Sequence, residues 1–423
     1  MKLFEGLFSK LFEKKNIYSE KIFSVFNNKV SIQELIDKVV TAKGEASALI
    51  YSEKLMIEIE NFNDNALSEF FFLLCKDFDI NSKELISLIR TYSDNKSIQN
   101  YKSMTTKFHS RRVEIFTKLN AIERGTIRLV KMREKLLNLL ENNSELNKVD
   151  IDLTNLFRSW FNRGFLVIHP ITWNTSARIL DKIVKYEAVH EISSWMDLRN
   201  RLEPEDRKCY SFFHPTMRDE PLIFVEIALT ADVPSKIDEI LDINRRKLNE
   251  PDFKTAVFYS ISNCQKGLKG ISFGNFLLKQ VIVDLKKEFP SLESFVTLSP
   301  VPGFNDWLKK NNKKLFDKII DEKGVFDLKD EILNHSLKYL FNAKQKDRLP
   351  LDVVQRFHLS NGAILDNIHT MADLSKKGIS RSAGLMVNYK YEINMLENNH
   401  EKYFARDLIC ASKPLLLKYK KIK

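Results

Sequence analysis

Apolar residues in the first third of the chain recur at helical spacing. Leu129, Met132, Leu136 and Leu140 stand three, four and four positions apart in a background of Lys, Arg and Glu, which predicts an amphipathic helix ending near Asn142 and Asn143. Beyond the first turn, residues 1–150 contain only two glycines, Gly44 and Gly125, and the first proline of the chain is Pro170. With so few breakers, this region reads as a helical bundle. At its start Leu3, Leu7, Leu11 and Phe4, Phe8, Phe12 repeat every four residues and predict an apolar stripe. Glu5 and Glu13 interrupt the stripe with acid, which argues against a presequence and for a helix docked on its own protein.

The polar stretch 141–150 reads as a joint, because the pattern changes after it. Runs at 165–168, 209–213, 221–230, 255–261 and 295–298 have strand character and are bounded by turn residues. Helical patterns alternate with them at 176–192, with Ile179, Ile183 and Val184 inward, and at 273–289, with Leu278, Ile282, Leu285 and Phe289 on one stripe. That order of elements suits a three-layer α/β acyltransferase sheet. The expected organisation is thus α+β: a helical domain over 1–157 and an α/β domain over 158–423.

Composition adds bounds. The 423 residues are 43% hydrophobic and 29% charged, near the globular average and outside the disordered and membrane classes. The net charge of +11 would suit a nucleic acid, an anionic surface or a phosphorylated ligand, yet no block of like charge marks a nucleic-acid arm. No apolar run approaches the length of a spanning helix. Cys75, Cys209, Cys264 and Cys410 are far apart without a C-x-x-C pair, so no zinc ribbon or redox couple is expected, and reduced thiols in the cytoplasm fit best.

Between the fourth strand run and the long helix lies a loop containing Gly267, Gly270 and Gly274. Its glycines permit close approach, the following helix offers unpaired N–H groups, and Lys266 and Lys269 add charge, features that together suit a pyrophosphate. A ligand-free turn explains the same glycines equally well. Neither standard nucleotide fingerprint occurs here. Gly270-Ile271-Ser272-Phe273-Gly274 matches the nucleophile elbow G-x-S-x-G, but some nine residues separate it from the preceding strand, whereas an elbow turns directly from strand to helix.

Two further residues invite chemistry. Ser299 ends a strand and is fixed in extended backbone by Pro300, with Pro302 and Gly303 following. His358 precedes an Asn-Gly turn and carries the side chain suited to proton transfer at neutral pH. Pattern alone favours a turn serine and a structural histidine.

Several ordered blocks resemble malonyl-CoA decarboxylases: Cys-Tyr-Ser-Phe-Phe-His-Pro at 209–215, Glu-Pro-Leu-Ile-Phe-Val-Glu-Ile-Ala-Leu-Thr at 220–230, Phe-Tyr-Ser-Ile-Ser at 258–262, and the stretches 267–276, 298–304, 357–363 and 384–391. The resemblance is strong over roughly residues 160–395. It implies a helical oligomerisation domain followed by a catalytic domain similar to the GNAT acyltransferase fold, acting without a cofactor or metal on malonyl-CoA to give acetyl-CoA and CO2. It implies Ser299 and His358 as the catalytic pair, a malonyl-CoA loop at Lys269, Gly270, Ile271, Ser272, Phe273, Gly274 and Asn275, and supporting positions at Ser260 and Tyr391. Some animal members carry glutamate where Ser272 stands, so no acidic role transfers to it. The expected partners are the acyl-CoA substrate and further copies of the chain, as a dimer or tetramer, with neither nucleic acid nor a membrane. Acyl transfer from a CoA thioester to an amine is the rival enzymatic reading, since one fold serves several reactions.

Overall fold

The computed structural model describes residues 30–271, 274–320, 324–346, 348–406 and 408–422. The apolar stripe expected from Leu3 to Phe12 lies outside them. The chain divides into two compact units, Met1–Leu153 and Thr154–Lys423.

Among the described residues the first unit is helical. Ser31, Asn63, Asn81 and Ser97 cap their helices by accepting a backbone N–H three residues ahead, as short polar side chains at these positions should. Leu55, Phe71, Leu74, Phe116 and Leu136 are fully buried between the helices. The expected joint at 141–150 is a folded segment: Ser144–Leu146 is a 3-10 turn, Asn147 opens the helix Asn147–Trp160, and Leu146 and Val149 are core residues. Two apolar side chains are enough to anchor an otherwise polar stretch.

The second unit is built on one mixed sheet. β1 (Val167–Pro170), β2 (Arg207–Phe213), β3 (Ile223–Thr230) and β4 (Thr255–Asn263) form an antiparallel run. β5 (Ser294–Thr297) joins β4 in parallel after the crossover helix Gly274–Glu288. β6 (Ser299–Pro300) and β7 (Ile364–His369) both pair with β8 (Met386–Lys390), which also touches β5. Helices cover both faces. Cys209 and Phe224 pack with Leu180, Ile183 and Leu198 from two helices on one side, while Lys208 and Tyr210, alternating with Cys209, reach Glu288 on the other.

The five expected strands are present within a few residues of their anticipated ends. The helix expected at 176–192 stops at Tyr186. Glu187 ends it by turning its carboxylate onto the backbone N–H groups of Val189 and His190, at 2.6 and 2.8 Å.

Two irregularities shape the sheet. The last parallel pair is Phe258 with Thr297; beyond it β4 continues along β3 while the other chain passes through Leu298 to pair with β8, so the two parallel strands part. In the same region β4 bulges at Tyr259, because Glu226 opposes Ser260 while Ile227 opposes Phe258.

The helix Val353–Ser360, capped by Asp352, ends at Asn361 and Gly362 and delivers the chain into β7. Gly362 has φ +83°, and a Cβ there would lie 2.1 Å from the backbone oxygen of Leu396. Gly362→Ala therefore combines left-handed strain with a backbone collision, and it is expected to destabilise the second unit by about 2 kcal/mol or more. Chemical denaturation would register this as a lowered midpoint; an unchanged midpoint would show that the turn relaxes freely.

Candidate active site

The parting of β4 and β5 places short polar side chains on one face of the sheet. Thr297 and Ser299 are two residues apart and so point the same way, with the Ser299 hydroxyl donating to Thr297 Oγ1 at 2.9 Å. Thr297 is itself held by Tyr389, whose backbone N–H donates to Oγ1 at 3.1 Å. Pro300 removes a backbone donor directly after Ser299, and Ser382 Oγ accepts the N–H of Val301.

His358 approaches from the last turn of its helix. Its Nε2 lies 3.1 Å from Ser299 Oγ and its Nδ1 lies 2.7 Å from the Tyr391 hydroxyl. The imidazole stacks on Tyr389 at 4.5 Å between centroids and meets Tyr391 edge-on. Tyr391 also packs edge-on against Phe258. Tyr389 lies in β8 and Tyr391 follows its last residue, two positions on, so one stretch of chain supplies both the stacking wall and the Nδ1 partner.

These groups are buried: Ser299 is 6% exposed and His358 2%. Desolvation pushes the His358 imidazole down from 6.5 to about 3, so it is neutral at physiological pH. Burial likewise holds the Tyr389 and Tyr391 hydroxyls well above their ordinary value, and both stay protonated. With Ser299 donating to Thr297, Nε2 of His358 carries the proton and Nδ1 accepts from Tyr391. The result is a directed chain of neutral hydrogen bonds from Tyr391 through His358 and Ser299 to Thr297.

Of the residues singled out in the sequence, the structure thus brings Ser299, His358 and Tyr391 together. Tyr391 touches the imidazole directly. Ser260 lies elsewhere: its hydroxyl donates to Glu187 at 2.7 Å, on the face that carries Glu226 and Arg201. There burial, and after it the neighbouring Glu187, push the Glu226 carboxyl up to about 8. Lys269 and Gly270 are exposed at the end of the glycine loop, with Gly270 at φ +82°, and Ile271 is buried. Ser272 and Phe273 lie outside the described residues. Gly274 and Asn275 begin the helix Gly274–Glu288. Sequence reasoning missed Thr297, Tyr389 and Asn388, whose Nδ2 donates to the Thr297 carbonyl at 2.7 Å. The spacing of two between Tyr389 and Tyr391 is the sequence signal that could have joined them as a pair.

Among the described residues, no cluster of His, Cys, Asp or Glu is arranged to hold a metal, and no helix is long and apolar enough to cross a membrane.

A helical unit joined to a mixed-sheet unit that holds a buried Ser–His contact defines an α+β protein. The sequence model described as the malonyl-CoA decarboxylase C-terminal domain matches residues 164–422, and that of the N-terminal domain matches 78–161. The chain belongs to the malonyl-CoA decarboxylase family. It is 33% identical over 344 residues to the mitochondrial malonyl-CoA decarboxylase of Anser anser anser, covering 71% of this chain and 68% of that one. For the Rattus norvegicus protein of the same description the figures are 34% over 346 residues, 71% and 70%. The crystal structure of malonyl-CoA decarboxylase from Rhodopseudomonas palustris superposes with a TM-score of 0.85 at 42% identity, covering 91% of this chain and 98% of the other.

The burial of His358 makes a spectroscopic prediction. Nitrogen NMR of the imidazole is expected to show the neutral Nε2–H tautomer throughout pH 5 to 8. The linked stability has a definite sign: the unfolded chain binds the proton near 6.5 and the folded one near 3, so this contribution is present above 6.5 and is lost as pH falls between those values. Titration of the ring near 6.5 in the folded protein would contradict the buried geometry.

Proposed function

We propose that the chain converts malonyl-CoA to acetyl-CoA and CO2 at the Ser299–His358 pair. The observation that carries this reading is the 3.1 Å contact between two buried groups 59 residues apart in sequence, in a chain belonging to this family. A malonyl thioester needs no electron sink beyond its own carbonyl. As the C–C bond breaks, CO2 departs and the bonding electrons pass into the thioester, giving an enolate whose α-carbon then takes a proton.

In this reading His358 is the proton source and Ser299 the hydroxyl that exchanges with it and orients the substrate. Tyr391 fixes the ring and the tautomer, and a proton from water restores the pair. The neutral state of His358 matters to the first step: an imidazolium beside the substrate carboxylate would stabilise the very charge that the reaction removes. The start of the helix Gly274–Glu288 offers backbone donors for the CoA pyrophosphate, and Lys269 is exposed ahead of it.

The four cysteines are free thiols, which fits the reducing cytoplasm in which we place the chain. Assembly into a dimer or tetramer through the helical unit is supported by the helices Ser82–Asp94 and Ile98–Thr106. Neither buries a single residue, and Ile98 is 76% exposed.

Incubated with malonyl-CoA alone, the purified chain is expected to release CO2 and form acetyl-CoA. His358→Ala and Ser299→Ala should each lower turnover by about 10²- to 10⁴-fold with circular dichroism unchanged. CoA release that requires an added amine would instead favour acyl transfer, and wild-type turnover in a folded His358→Ala variant would end the assignment. Light scattering tests the assembly, where a monomer at micromolar concentration would count against it.

A further inference from the structure

The segment that carries Ser299 has few backbone donors, because positions 300 and 302 are proline. Only Val301 and Gly303 offer N–H groups before Phe304, and a buried polar side chain stands beside each. Val301 donates to Ser382 Oγ, and Gly303 lies against the carboxylate of Asp352, whose Oδ2 is 3.7 Å from where a Cβ at Gly303 would stand. Asp352 is 2% exposed and stands six residues before His358, at the cap of the same helix. Its Oδ1 accepts the N–H groups of Val354 at 3.0 Å and Gln355 at 2.9 Å, and its Oδ2 accepts the Tyr339 hydroxyl at 3.4 Å. One buried carboxylate therefore accepts donors from the helix bearing His358 and from the helix Lys329–Asn342 that contains Tyr339, and its Oδ2 lies against the loop bearing Ser299 at Gly303.

We propose that Asp352 is a positioning residue that pins the Ser299 loop to the His358 helix and so sets the distance between serine and imidazole. This rests on the reading that the pair transfers the proton. Capping by itself needs only Oδ1, which Ser or Asn would also supply. The second oxygen does the joining. Gly303 completes the fit, since a Cβ at that position would lie 2.4 Å from the Tyr339 hydroxyl, so loop backbone, phenol and carboxylate occupy the space a side chain would need. Tyr339 is in turn fixed by rings of the helix that follows the loop: Phe304 edge-on at 5.8 Å and Trp307 tilted at 5.4 Å. The helix is short and stiff, with about 9 Å of rise between Asp352 and His358, so a shift at the cap is carried to the imidazole.

The test uses Asp352→Asn, which keeps an oxygen for the cap and turns an amide N–H toward the Gly303 N–H. Its kcat is expected to fall about 10- to 100-fold with KM changed less than about threefold, the pattern of a misaligned reacting pair rather than lost substrate affinity. The nitrogen resonances of His358 should shift in the same variant while circular dichroism does not. Tyr339→Phe removes one donor to Oδ2 and should cost a few-fold in kcat; combined with Asp352→Asn it should cost no more than Asp352→Asn alone, because both act through one oxygen. If Asp352→Asn does not fold, Tyr339→Phe decides by the same split between kcat and KM. Wild-type kcat in folded Asp352→Asn, a loss confined to KM, or strict additivity of the two substitutions would overturn the proposal. Should Asp352→Asn be active while His358→Ala is not, only the tie fails; should His358→Ala be active, the reading beneath it fails.

Discussion

An imidazole buried as deeply as His358 must have both ring nitrogens partnered, because an unsatisfied ring nitrogen in the interior costs about 1–3 kcal/mol and a protonated ring costs far more. The surrounding fold meets that demand with neutral groups. Tyr391 serves Nδ1, Ser299 serves Nε2, and Tyr389 covers one face of the ring. These groups come from two parts of the chain: Tyr389 from β8 and Tyr391 from just past its end, the serine from the proline-fixed strand β6. The site is therefore inseparable from the way β8 pairs on both of its edges.

The parting of β4 from β5 converts a continuous sheet into two differently equipped faces. On one, Phe258 packs against Tyr391 and the neutral chain from tyrosine to threonine is assembled. On the other, the bulge at Tyr259 lets Ser260 meet Glu187 beside the buried Glu226–Arg201 pair, 3.2 Å apart. A flat strand could not keep Phe258 facing Ile227 and Ser260 facing Glu226 at once, so the bulge is what separates the two faces.

How much of this was readable beforehand depends on the reach of each interaction. β1 to β5 and the crossover helix announced themselves because their periodicity is local. β7 did not, since its pairing with β8 slips between Leu365 and Asn367 and its inward positions are irregular. β6 is two residues long and half of it is proline. The pairing of Ser299 with His358 spans 59 positions, and no spacing rule links them; their association came from resemblance, with residue pattern alone pointing to a turn serine and a structural histidine. Thr297, Tyr389 and Asp352 carry no motif at all. They become visible only when strand parity and the hydrogen-bond demands of a buried ring are combined with three-dimensional neighbours. The polar stretch 141–150 hid its two inward side chains, Leu146 and Val149, because eight polar neighbours mask them in the pattern.

A site made only of neutral hydrogen-bonding groups suits a reaction in which negative charge leaves one part of the substrate and gathers on another. A cation fixed beside the carboxylate would bind the substrate well and oppose the loss of CO2, whereas hydroxyls and an N–H stabilise the enolate oxygen or carbon as charge arrives there. The hydrophobic setting that drives the His358 imidazole down to about 3 is thus the same feature that would favour the first chemical step. Mobility in such a site is costly, because neutral hydrogen bonds fall away steeply with distance and misdirection. Around a pair whose own contact is a single 3.1 Å bond stand a proline-bracketed loop, a short capped helix and the carboxylate that caps this helix and lies against the loop.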